Sequence, residues 1–159
     1  MKVTRDAGIL NIALEGALGE TSTFFTMPLQ DPKHIVIDMS GFTSINSIGV
    51  KNWILWTLKL PAGCKVQLFN CPLVIASQAS MVMGFVNPKI TIESLRLPYI
   101  CESCSVETMC KVERGKDYQY AQDGLPAKIT LPTNVPCGKC GSGKMEPDLI
   151  ISKTFKFLG

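Results

Sequence analysis

The stretch His34–Leu58, HIVIDMSGFTSINSIGVKNWILWTL, decides how the chain is read. It opens on HIVIDM, residues 34–39, an apolar and β-branched run of strand length. That run predicts a buried strand ending at Asp38-Met39-Ser40, followed by a short loop. From Asn46 to Leu58 the spacing becomes helical, and Ile48, Trp53, Ile54, Leu55 and Leu58 supply an apolar stripe. Asn46 or Ser47 stands where a side-chain oxygen caps free backbone N–H groups. Leu60-Pro61 ends the helix, because proline cannot donate to the next turn.

Working outward, the alternation continues on both sides. Residues 2–6 and 8–14 predict two strands joined at Gly8. Residues 21–29 predict a short helix capped by Thr21 or Ser22 and ended between Pro28 and Pro32. A strand follows at 65–70, then a helix from Leu73 to Met83, with Gly84 placed as a C-terminal cap. Residues 89–100 read as extended. Strands alternating with helices predict an α/β fold with right-handed crossovers and a mainly parallel sheet. Near residues 94–100 the pattern changes. Cysteine, proline, glycine and lysine rise, and helical periodicity stops. The stretches KITL (128–131) and LIISKTFKF (149–157) predict β-hairpins. We therefore divide the chain into an α/β domain, 1–95, and a small β module, 96–159.

Composition excludes several classes. With 46% hydrophobic and 18% charged residues, the 159-residue chain is neither disordered nor fibrous. Its 16 basic and 13 acidic residues are spread evenly, so neither part carries a basic footprint for nucleic acid. The longest uncharged run, Val66–Pro88, holds Gln67, Asn70, Ser77, Gln78 and Ser80. A bilayer span needs about 20 predominantly apolar residues, so membrane insertion is not expected. Asp6 and Glu15 interrupt the N-terminal segment where a secretory signal needs an apolar core. The expected location is cytoplasmic.

The last 59 residues hold two C-x-x-C pairs, Cys101-Glu-Ser-Cys104 and Cys137-Gly-Lys-Cys140. Each such turn aims two thiolates at one point, and two turns supply the four soft ligands of a tetrahedral zinc site. Gly138 and Gly141 suit the tight backbone. One structural zinc is expected, in a zinc-ribbon-like module whose scarce large apolar residues leave metal to substitute for a core. Disulfides fit poorly with seven cysteines and no secretory signal. A thioredoxin-like redox pair would open a helix after a strand, which neither pair does. Cys110 is a spare thiol, read as core. Gly138–Met145 approaches a phosphate-binding loop, but Met145 replaces the hydroxyl residue and no long helix follows.

At Ser44-Ile45-Asn46-Ser47-Ile48-Gly49 the chain resembles the STAS domain, the fold of bacterial anti-sigma-factor antagonists. Their signature is a strand, a D-S-[ST]-G turn and a helix. Leu14-Glu15-Gly16 resembles the family's L-x-G step. Phe69-Asn70-Cys71-Pro72-Leu73-Val74 resembles its N-x-P-x-V step, and Met83-Gly84-Phe85 its helix exit. The resemblance covers roughly residues 1–95. It implies that Ser47 is phosphorylated by a partner serine kinase that is also an anti-sigma factor. The unphosphorylated chain would bind that kinase and free the sigma factor. Here Asn46 stands where the family has Asp, and Ile48 where it has a small hydroxyl residue. Phosphate would add about −1.5 to −2 charges at pH 7 near a helix N-terminus. From the residues alone, simple capping by Asn46 or Ser47 is the favoured reading.

The leading expectation is a regulatory protein–protein interaction module that presents Ser44, Asn46, Ser47 and Gly49 to its partner. The alternative is a STAS-like binding or accessory subunit without a switch, as in lipid transport or complex assembly. Enzymatic chemistry is not expected. His34 is the one histidine, read as a surface residue, and no Cys–His, Ser–His or carboxylate pair stands out. Nucleic-acid contact through the zinc module would use Lys139, Lys144, Lys153 and Lys156 with Phe155 and Phe157. Four thiolates with one Zn²⁺ would lower the formal +3 to about +1, which weakens that reading.

Overall fold

A computed structural model describes all residues, 1–159. The chain opens with a hairpin of β1 (Lys2–Asp6) and β2 (Ile9–Leu18), turning at Ala7-Gly8. Both turn residues have positive φ, 45° and 83°, as the two-residue turn that matches strand twist requires. The short helix expected at 21–29 is a 3-10 turn, Thr23–Thr26, with the Ser22 Oγ accepting from the Phe24 N–H. Then come β3 (His34–Ile45), α1 (Ser47–Lys59), β4 (Lys65–Phe69), β5 (Cys71–Pro72), α2 (Leu73–Met81) and β6 (Ile90–Ile92). The first sheet has the order β1-β2-β3-β4-β6. Only β1 runs antiparallel to its neighbour; the other pairings are parallel, as expected.

Two expectations in the opening stretch need correction. Strand β3 does not stop at Ser40 but runs to Ile45. It stays extended because it pairs with β2 along its whole length, from Ile9↔His34 to Leu18↔Ile45. Two register shifts absorb the polar segment, at Ala13/Glu15 and Gly16/Ala17. Gly41 allows the close approach: a Cβ there would lie 2.9 Å from the Glu15 Cγ. Nor is β3 buried on both faces. Ile35, Ile37 and Met39 point into the core, while Val36 and Asp38 line the half-open face.

Helix α1 buries only part of its expected stripe, Trp53 and the half-buried Ile54. Trp53 and Trp56 are buried, while Ile48, Leu55 and Leu58 are 42%, 45% and 68% exposed. Size decides this orientation. A buried tryptophan removes about 200 Å² from water, worth about 5 kcal/mol, against about 2 for a leucine. The rings pack against Phe24, Phe85 and each other at centroid distances of 4.8 to 6.0 Å, Trp53 stacked on both phenylalanines. The Trp53 indole N–H donates to the Phe85 carbonyl at 2.8 Å. The Trp56 indole nitrogen is buried without a partner, a cost of about 1–3 kcal/mol that its buried area offsets.

The second half comprises β7 (Ser94–Cys101), β8 (Glu107–Glu113), β9 (Tyr118–Gln119), β10 (Lys128–Ile129), β11 (Val135–Pro136), β12 (Lys144–Pro147) and α3 (Ile151–Thr154). Strand β7 is the hub: β8 pairs with it, as do β5 near residue 95 and β12 near residue 100. The hairpin expected over 149–157 is instead α3 followed by a 3-10 turn, Lys156–Leu158. The reason is burial. This fold places Phe155 and Leu158 in the core, packed beside α2 and Tyr118. The Ser80 hydroxyl fastens it, donating to the Thr154 carbonyl and accepting from the Phe157 N–H. The division between residues 95 and 96 falls inside β7. Buried residues from both sides of it form one cluster. No helix is long and apolar enough to cross a membrane.

Candidate functional site

The four paired cysteines come together. Cys101 ends β7 and Cys104 follows in the turn to β8; Cys137 and Cys140 lie in the turn between β11 and β12. Pairing of β12 with β7, Met145 opposite Cys101, carries one turn onto the other. The Glu102 N–H donates to the Lys144 carbonyl at 3.1 Å and latches the two tips. The turns are built alike. The N–H four residues after each first cysteine returns to its carbonyl, Ser105 to Cys101 and Gly141 to Cys137, each at 2.9 Å. Ser105 and Gly141, each just after the second cysteine, both have positive φ, 56° and 70°. Glycine adopts this freely, which explains Gly141; serine does so at a cost.

All four sulfurs lie within 4.8 Å of one another, with Cys101–Cys140 and Cys104–Cys137 each at 3.7 Å. A tetrahedron of sulfurs at the usual 2.3 Å zinc–sulfur distance has edges of about 3.8 Å. The four cysteines are therefore positioned to hold a metal ion. Backbone N–H groups favour the thiolate form of two of them. Gly143 and Ser142 draw the Cys140 thiol down to about 6, and Cys140 and Lys139 draw Cys137 below the usual thiol range. For Cys104 the N–H of Val106 acts the same way, but burial and the three nearby sulfurs outweigh it and raise the thiol to about 11. A cation among the sulfurs would reverse that balance.

Gly143 is the site residue that spacing did not single out. A Cβ there would collide with the Cys101 Sγ and sit 2.9 Å from the Ser103 side chain. The signal was present as the third glycine of C-G-x-C-G-x-G. Gly138, by contrast, has open space around it. Residues 138–145 fold as this turn and Lys144 begins β12, so no phosphate-binding loop forms. Cys64, Cys71 and Cys110 lie outside the cluster. Cys110 sits opposite Leu97 on β8, half-buried against the core.

The residues at the start of α1 also meet. Asn46 is the cap, its Oδ1 accepting from the Gly49 N–H at 2.8 Å, and Ser47 is the first helical residue. Ser44, Asn46 and Ser47 are exposed, and the Ser47 hydroxyl makes no hydrogen bond. Gly49 is buried under the end of β2, where any Cβ would collide with the Leu18 carbonyl. The glycine of the turn is thus a packing requirement of the helix against β2.

His34 is half-buried rather than on the open surface. Its Nε2 lies 2.7 Å from the Gln67 Oε1, and Gln67 donates to Glu93 at 2.7 Å. Arg114 grips the same carboxylate through two nitrogens, at 2.7 and 3.2 Å. A second set joins Asp38, Ser40 and Asn70 by hydrogen bonds, beside Arg96, which donates to the carbonyls of Met39, Ser40 and Asn70. Both sets join the second half to the open face of the first sheet. No family model matches the chain, and comparison with curated proteins and with solved structures found no match.

Proposed function

We propose that the chain is a non-enzymatic, STAS-like interaction module that docks a protein partner at the start and outer side of α1 and is stapled by one structural zinc ion. The observation that carries this reading is Ser47. It opens a 13-residue helix with a free, exposed hydroxyl beside an outward apolar row of Ile48, Leu55 and Leu58. An exposed apolar row rimmed by polar residues is the usual mark of a protein contact. A phosphate on Ser47 would be held at the helix N-terminus and would place about two negative charges at the edge of that row. The expected partner is a serine kinase that doubles as an anti-sigma factor, and phosphorylation would release it.

The test is capture of such a kinase by the purified chain, with and without ATP. Labelling at Ser47 that is lost in Ser47→Ala, together with binding lost in Ser47→Glu and Ile48→Asp, supports the reading. Binding that ignores all three variants overturns it. A second reading, an accessory subunit without a switch, rests on Asn46. It offers the cap without the family's carboxylate, and its oxygen is already committed to Gly49. Binding that requires Ile48 but shows no labelling of Ser47 selects that reading.

Zinc is proposed from donor chemistry: four thiolates on a tetrahedron suit Zn²⁺ or iron. Elemental analysis of the purified protein separates them. One colourless zinc per chain is expected, and iron with its visible absorption would correct the metal. When bound, zinc would supply folding energy rather than a reactive centre, since all four positions are taken by cysteines.

A further inference from the structure

We infer that β1 is a self-complementary edge through which two copies of this chain join their first sheets into one. Every residue of β1 is exposed, so the edge of the five-stranded sheet is open. The remaining edges are managed differently. At β6 the Tyr120 hydroxyl accepts from the Ile92 N–H, and the Tyr118 hydroxyl donates to the Ile92 carbonyl, blocking extension. Strand β8, paired with itself about its centre Cys110, would set Glu107 against the partner's Glu113. Like charges directly opposite disfavour pairing. The strands β5, β9, β10 and β11 are two residues long.

The register of β1 follows from its hairpin. The two-residue turn closes on the pair Asp6–Ile9, so bonded and unbonded pairs alternate from there. Val3 and Arg5 are left with backbone N–H and carbonyl groups pointing away from β2. An antiparallel second copy centred on Thr4 brings Val3 opposite the partner's Arg5 and Arg5 opposite the partner's Val3. Outward-facing groups then meet outward-facing groups. The same register sets Lys2 against the partner's Asp6, twice by symmetry, and Thr4 against Thr4. Lys2–Asp6 falls at an unbonded pair, where facing side chains come closest. The neighbouring in-phase registers lose this match. One places Arg5 against Arg5; the other places Lys2 against Thr4 and leaves Asp6 without a partner. The sequence Lys2-Val3-Thr4-Arg5-Asp6 thus selects one pairing, with a second copy of itself.

The test is sedimentation of the full chain over a concentration series at low and high salt, combined with amide exchange at Val3 and Arg5. A reversible dimer is expected, weakened by salt because the Lys2–Asp6 pairs are exposed. The Val3 and Arg5 amides, unbonded in the monomer, should gain protection as concentration rises. Lys2→Asp and Asp6→Lys should each weaken the dimer on the order of tenfold, and the two together should restore it, since the reversed charges still face each other. Either of two results overturns the inference: a monomer at all concentrations, or a dimer in which these amides stay unprotected and the single reversals have no effect. The wild-type exchange result decides the question even where a variant folds poorly.

Discussion

A methyl group at Gly49 has no space, because the Leu18 carbonyl already occupies its position. The obstacle is backbone in a strand paired along its full length, so it cannot swing away as a side-chain tip would. Gly49→Ala is expected to destabilise the protein by about 2–4 kcal/mol in urea unfolding, the cost of overpacking against main chain. The Asp38 carboxyl makes a different prediction. Partial burial pushes it up, but hydrogen bonds from Asn70 and Ser40, helped by the Arg96 charge, outweigh that and hold it below the usual carboxylate value. A depressed carboxylate contributes stability that is present above its unfolded value and lost as pH falls through its folded one. Stability should therefore drop below about pH 4 through this group, and Asp38→Asn should flatten that part of the profile. Proton-linked unfolding by urea between pH 2 and 6 measures both.

The two cysteine turns bring four possible metal ligands together with little regular structure around them. Strands β11 and β12 are two and four residues long, too short to stand without the turn they flank. The second turn is tied to β7 by three residue pairs and to the first by the sulfurs. Chelation should release the β11–β12 hairpin first, seen as loss of amide protection between Val135 and Glu146, while β2 and β3 stay protected. Gly143→Ala should reproduce the chelated state without chelator, with metal content falling well below one per chain. Intact protection after complete metal removal would show that strand pairing alone holds the hairpin. Helix α1 carries a different lesson. It is apolar on two sides, and the tryptophans, not the leucines, choose the buried one.

Across the whole molecule, the second half does not supply its own core. Tyr118, Phe155 and Leu158 are buried in the same cluster as residues of the first half. Strand β7 joins β5 to β8 and β12; Arg96 reaches back to the Ser40 carbonyl on β3, and Arg114 to Glu93 just past β6. The full chain should therefore unfold in one cooperative transition by calorimetry. A fragment ending at residue 95 would expose the α2 face on which α3 and the final turn pack. It is expected to lose that cooperativity and aggregate, checked by light scattering and near-ultraviolet circular dichroism. Two separate transitions in the full chain would contradict the shared core.

The amino-acid sequence alone determined the main alternation of strands and helices through Ile92, the mainly parallel pairing, a cap at Asn46 or Ser47 and the four cysteines that meet. Each is set by local pattern: alternation, helical spacing, capping chemistry or the C-x-x-C turn. Only the tertiary structure decided the rest. The extension of β3 to Ile45 depends on β2 lying beside it. The turning of α1 depends on where Phe24 and Phe85 await its tryptophans. The helical form of 151–158 depends on the surface of α2, and the need for Gly143 depends on Cys101 arriving from forty residues away. In each case the deciding contact is distant along the chain, and no local pattern carries it.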